Sequence, residues 1–285
     1  MPEIDREKIQ VYRQGTYRCD PSLRLHSQSD AVSYVNHRGF VFFWPIKGIS
    51  MPSLWVATAG DRPVADEHDD PGHITWNWKD ELLGKGIWYY GRVLARKNCM
   101  ISLDCLPSFY ALSPNFGDPE NEYLDDYRSG YLSLEAKNVY EALLGNGALD
   151  SITLRKSAHL TGAGSESRFN KALEVLQTSF RIAPCGTSKN GAWHYSFVYD
   201  VFHRQYGNAI NQSREISESS ARTTLLEKYI ESVGCCSSHD ISRVFRWSAS
   251  EIHKTIQLLV DTSKIITDVR IVNEKEDQIC LSDLF

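Results

Sequence analysis

His68, Asp69, Asp70 and His73 lie together in the turn-rich stretch EHDDPGH, and imidazole and carboxylate groups set this close are donor types for metal centres and acid–base catalysis. Their spacing matches no known ligand motif, so a solvated loop without a metal is expected. Asp80 and Glu81 form a second carboxylate pair at the end of the segment WNWKDE. If the chain carries hydrolytic chemistry, the groups able to orient a water or hold developing positive charge are Asp69, Asp70, Asp80 and Glu81. Ser53, Ser102 and Ser108 stand in no G-x-S-x-G context and there is no glycine-rich phosphate loop, so neither a serine nucleophile nor a cofactor is implied. Trp44, Trp76, Trp78 and Trp88 offer faces for an unstacked base, although a set of tryptophans in a small domain ordinarily forms its core.

Electrostatics supplies a second kind of chemistry. From Asp150 to Tyr206 there are seven Lys and Arg against four Asp and Glu; from Gly207 to Phe285 there are nine against twelve. The first of these stretches is therefore the better surface for a polyanion, even though the net charge is −5. Ser165, Ser167, Arg168 and Lys171 fall at positions that the apolar Phe169, Leu173 and Leu176 leave outward on one helix, and Lys189 sits at a hairpin tip. The corresponding tip in the last stretch reads NEKED and would repel phosphate.

The elements that carry these residues follow from periodicity. Leu134, Val139, Leu143 and Leu144 mark a helix stopped by Gly145 and Gly147; Ser151–Leu160 and Glu166–Thr178 are two more. The period then drops to two, over Arg181–Gly186 and Trp193–Asp200, around an Asn-Gly hairpin signal at Asn190 and Gly191. Trp193 and Tyr195 share one strand face and are expected to pack on the neighbouring helix. The same order returns as Ala221–Val233, Ser237–Phe245 and Ser248–Thr262, with Ser248 or Ser250 as N-cap, then strands Ile265–Val272 and Ile279–Leu284. Helix, helix, turn, helix, hairpin is the winged-helix order, in which the third helix enters the major groove. The expected fold is α+β, with tandem winged-helix domains at 127–206 and 207–285.

Before them, 29–126 is an aromatic-rich domain with short apolar strands at Gly39–Ile46 and Met100–Leu106 and an acidic linker at Pro114–Asp126. Residues 1–28 read as a helical arm or a loosely held lead-in. At 285 residues, with 42% hydrophobic and 24% charged residues, the chain is long enough for two or three folded domains. Its seven cysteines, an odd number with no C-x-x-C pair, read as free, mostly buried thiols. No apolar run spans a bilayer and no signal sequence is evident, so a cytoplasmic protein without membrane association is expected.

The segment Gly39-Phe40-Val41-Phe42-Phe43-Trp44-Pro45-Ile46, followed by Trp88-Tyr89-Tyr90-Gly91 and by LDCLP at 103–107, resembles the winged-helix DNA-crosslink glycosylases of the AlkZ and YcaQ type, and more closely their AlkZ-related branch. The resemblance spans roughly residues 30 to 205. It implies a tandem winged-helix scaffold that cradles double-stranded DNA, plain, damaged or distorted, with the segment 29–126 as a degenerate winged helix of its own. In that family the corresponding segment reads G-Φ-V-Q-Φ-Q/D-x-I and its polar pair is catalytic, whereas here Phe42 and Trp44 hold those places, which implies that the Gln-based chemistry is missing. Nothing in the last 80 residues resembles the family's C-terminal β-barrel. The expected function is thus a DNA-binding protein related to DNA-repair glycosylases. Two alternatives are an active DNA glycosylase using the acidic residues named above, and a transcription regulator or protein-docking module.

Overall fold

The computed structural model describes residues 2–115, 117–191, 194–272 and 276–285. The chain opens with β1 (Glu3–Ile4) and α1 (Arg6–Thr16), and then one order of elements, helix, short strand, two helices and hairpin, runs three times. The first pass is α2 (Gln28–Arg38), β2 (Phe40–Phe42), α3 (Leu54–Ala59), α4 (Ile74–Leu82), β3 (Trp88–Arg92) and β4 (Asn98–Ser102). After α5 (Leu106–Ala111) and α6 (Glu122–Arg128) comes the second: α7 (Leu134–Asn146), β5 (Leu149–Asp150), α8 (Ser151–Ser157), α9 (Ser165–Thr178), β6 (Ile182–Ser188) and β7 (Ser196–Val201). The connector α10 (Phe202–Ser213) leads to the third: α11 (Glu218–Val233), β8 (Cys235–Cys236), α12 (Ser238–Phe245), α13 (Ala249–Asp261), β9 (Ile265–Ile271) and β10 (Asp277–Leu281).

Strand order repeats with element order. The sheets run β2-β4-β3, β5-β7-β6 and β1-β9-β10-β8, and in each the short strand after the first helix pairs antiparallel with the second hairpin strand. The turn into that short strand is made each time by a glycine after the helix: Gly39, Gly147 and Gly234. At Gly39 φ is +80°, which disfavours a side chain, and a Cβ would also lie 2.8 Å from Cys105 Sγ. Gly234 (φ +77°) is as confined, with the Tyr12 ring 2.8 Å from such a Cβ. Helix starts are fixed as locally. Ser27, Ser237 and Ser248 each cap a helix and close a capping box with the acidic residue three positions on.

Several expectations are corrected. The stretch Met100–Leu106 is not one strand: β4 ends at Ser102 and Leu106 begins α5, with Pro107 in the first helical turn, where proline is tolerated. The acidic stretch before residue 127 is more than a connector, because α6 delivers Glu122 and Asp126 to Arg181, whose side chain is 2% exposed, at 3.3 and 2.6 Å. The expected arm or loosely held lead-in at 1–28 is corrected over its described residues, 2–28, which are docked: β1 pairs in parallel with β9, and Arg13 donates from Nε to Val233 O (2.8 Å) and from Nη2 to Cys235 O (2.7 Å). Cys235 and Cys280 are not free thiols but a disulfide; they stand directly opposite on β8 and β10, where antiparallel pairing brings side chains together. The remaining five cysteines are free. The strand after the Asn-Gly turn starts at Ser196, and Ala192 and Trp193 lie outside the described residues, as do Asn273, Glu274 and Lys275 of the NEKED tip. Among the described residues no helix is long and apolar enough to cross a membrane.

Candidate functional site

Alternation along β2 decides what stands at the Phe42 and Trp44 positions. Phe40 and Phe42 point into a large core shared with α5, α10 and α11, while Val41 and Phe43 point into the core of the first repeat. Phe42 is fully buried. Trp44, just past the strand, is half-buried in an aromatic cluster, its ring centroid 4.7 Å from Phe43, 5.3 Å from Trp55, 5.5 Å from Trp76 and 6.1 Å from His73. Neither side chain brings a carbonyl or carboxylate oxygen to the site.

Trp76 joins this cluster to a second arrangement, built around Lys79. In α4 the inward positions Thr75, Trp78, Lys79 and Leu82 follow helical spacing, which carries Lys79 inside. Its side chain is 1% exposed. The ammonium lies 4.5 Å from the Phe197 ring centroid, 5.2 Å from Tyr90 and 5.5 Å from Trp76, a cage whose π faces attract the cation. It donates to Asp80 Oδ1 and, at 3.0 Å, to Tyr195 Oη; Tyr195 Oη in turn donates to Asp80 Oδ1 at 3.0 Å. Burial pulls the Lys79 pKa down, and hydrogen bonding and attraction to Asp80 oppose the shift. Burial also pushes the Tyr195 phenol up.

The EHDDPGH loop borders the same cluster. A cavity of about 490 Å³ opens beside His68, Asp70, His73, Trp76 and Asn77. Asp70 accepts from Arg62 Nη2 (2.6 Å) and from the Gly72 backbone N–H (2.7 Å), and hydrogen bonding from Arg62 holds its carboxyl below the usual carboxylate range. His73 Nε2 lies 3.1 Å from Ala65 O. Asp69 is exposed, and Glu81, also exposed, accepts from Gln28 Nε2 at 2.9 Å. These carboxylates face different neighbours, and the structure does not bring Asp69, Asp70, Asp80 and Glu81 together as one site. No group of three or more His, Cys, Asp or Glu able to hold a metal occurs among the described residues.

On the second repeat the cations separate into two classes. Lys137, Arg155, Arg168, Arg181 and Arg204 are ion-paired; Arg168 reaches across to Glu135 on α7 at 3.1 Å. Lys156, Lys171 and Lys189 are exposed and have no acidic partner among the described residues. Ser167 is exposed on α9 as expected from its spacing. Ser165 is a correction: it is 1% exposed, and its hydroxyl closes the turn before α9 by hydrogen bonding to Gly162 O at 2.6 Å and accepting from Arg155 Nη2 at 3.1 Å. A hydroxyl spent inside the fold cannot reach a phosphate.

Sequence reasoning missed Lys79 and Tyr195 as a linked pair. The inward spacing of α4 was a signal for Lys79, whereas nothing local connects it to a tyrosine 116 positions away.

A family model described as AlkZ related matches residues 25–246. No curated protein matches the sequence. Among solved structures, the DNA glycosylase AlkZ of Streptomyces sahachiroi has a similar fold, with a TM-score of 0.58, 12% identity, and 99% of this chain and 71% of that chain covered. At that identity the likeness is one of fold.

Proposed function

Because the chain belongs to the AlkZ-related family, we propose that it is a DNA-binding protein of three winged-helix repeats that holds double-stranded DNA on its second repeat and lacks Gln-based base excision. The observation that carries DNA binding is the set of unpaired cations on that repeat, Lys156 on α8, Lys171 on α9 and Lys189 beyond β6, while the other cations there are neutralised. Unpaired surface cations attract a phosphate backbone and release its counterions, whereas cations already paired within the protein contribute less. Lys171 lies on α9, the third helix of its repeat, the one that enters the major groove in winged-helix proteins. The loss of excision chemistry is supported by Phe42, buried in the core, and by Trp44, held among aromatic rings.

Electrophoretic binding to a plain duplex at several salt concentrations is the test. Lys171→Ala with Lys189→Ala should weaken binding to all sequences and flatten the log–log salt dependence by about 0.9 for each lost phosphate contact. A double variant that binds like the parent at every salt concentration would remove this face from the interface.

One observation favours a second reading, an active glycosylase centred on Asp80. Asp80 is part-buried, hydrogen-bonded by Lys79 and Tyr195, and adjacent in sequence to the Lys79 cage that includes the half-exposed Trp76. Base release from an alkylated duplex that disappears in Asp80→Asn, with DNA binding retained, would establish it.

A further inference from the structure

Between α8, α9 and β7 lies a cavity of about 430 Å³, within the range of small-molecule sites. Phe197 and Tyr199 project from one face of β7, with ring centroids 6.2 Å apart, and Phe169 and Leu173 from α9 complete an apolar floor. The rim is polar. Lys156 and Asn170 are exposed there and have no side-chain partner among the described residues, whereas the Arg155 guanidinium is already committed to Leu160 O and to Ser165.

We propose that this cavity binds a single unpaired nucleotide, its base against Phe197 and Tyr199 and its phosphate at Lys156. Stacking on an aromatic floor suits every base, and an amide such as Asn170 offers both a donor and an acceptor to a base edge. Of the two rim cations, Arg155 and Lys156, Lys156 is the one with no partner among the described residues. Lys171 follows Asn170 on α9, so an exposed cation stands one position along the chain from a residue of the rim. A paired base cannot enter, because its faces are covered within the duplex stack; a base without a partner leaves the stack at the least cost. The nucleotide can come from two sources, an unpaired position in a DNA strand, which rests on the DNA-binding assignment above, or a free nucleotide.

The experiment uses the full chain with three probes: a fully paired duplex, the same duplex with one bulged 2-aminopurine nucleotide, and a nucleoside 5′-monophosphate measured by calorimetry. The parent should bind the bulged duplex about tenfold more tightly than the paired one, as one base stacked on an aromatic ring predicts, with a change in 2-aminopurine emission. Ile152→Trp, which places an indole at the mouth from a position 37% exposed, should erase that preference while leaving paired-duplex binding and the melting curve unchanged. Asn170→Ala, a change at an exposed rim position, should reduce the preference in the same direction. Binding of the monophosphate that is lost in Ile152→Trp, with no bulge preference, assigns the cavity to a free nucleotide. Binding of the paired duplex with neither bulge preference nor monophosphate binding overturns the cavity assignment and leaves DNA binding standing. If no DNA binds but the monophosphate does, DNA binding fails and the cavity stands as a nucleotide site; if nothing binds, both fail.

Discussion

Lys79 Nζ, buried on α4, donates a 3.0 Å hydrogen bond to Tyr195 Oη just before β7, so an ammonium of the first repeat is held by a phenol of the second. Asp80 completes the group, and its partial exposure lets water share its charge. The two partners therefore respond differently to removal.

Asp80→Ala leaves an ammonium buried without its counter-charge and should cost about 3 kcal/mol of unfolding free energy. Lys79→Met keeps the volume and exchanges cation–π contact for sulfur–aromatic contact, so its stability should stay within about 1 kcal/mol of the parent. Urea unfolding of both variants decides between them. If Lys79→Met is the more damaging, the cation itself holds the seam between the repeats.

The lowered pKa of Lys79 gives a pH signature. Between its folded value and 10.5 the unfolded chain keeps a proton that the folded chain releases, so unfolding free energy rises with pH across that window. Tyrosines raised by burial act in the opposite sense only as pH approaches and passes their unfolded value of 10. Unfolding curves below pH 10 for the parent and Lys79→Met should show a more positive slope in the parent. Parallel slopes would mean that Lys79 titrates as an exposed lysine does.

Arg168 and Glu135 test whether an internal ion pair masks a DNA contact. Their pairing at 3.1 Å holds the guanidinium toward α7. Arg168→Ala should change duplex affinity less than Lys171→Ala does. Glu135→Ala frees the arginine and should tighten binding, up to about fivefold, in low salt. Loss of affinity in Arg168→Ala equal to that in Lys171→Ala would place Arg168 on the phosphates.

Base release should be absent for alkylated duplexes, because neither Phe42 nor Trp44 can orient a water or hold charge on a sugar. Phe42→Gln puts an amide into the apolar core and should cost about 3 kcal/mol or more, as judged by thermal unfolding. The double change Phe42→Gln, Trp44→Gln should not create activity, since glutamines without supporting hydrogen bonds are not held in a productive geometry. Gel analysis of abasic-site formation reads the outcome, and strong release by the double variant would show that the surrounding shell is intact.

The sequence by itself determined the order of the three helices and the hairpin in the second and third repeats, but not the short strands β5 and β8 or the connector α10. Apolar spacing, serines before helices and glycines after them act among near neighbours, which is why Ser248 was legible as a cap and why α9 was placed within one residue at its start. The first repeat was harder to read because α3 is six residues long and its loops are rich in turn formers, so periodicity had too short a run to register. What only the tertiary structure decided is the state of individual groups. Arg168 meets a carboxylate 33 positions away, Lys79 a phenol 116 away, and Cys235 a thiol 45 away, while Ser165 turns inward to close its own turn. Charge, exposure and bonding at those atoms depend on which distant elements pack together, and the local pattern that builds a helix is the same whether its lysine meets solvent or a ring of aromatic side chains.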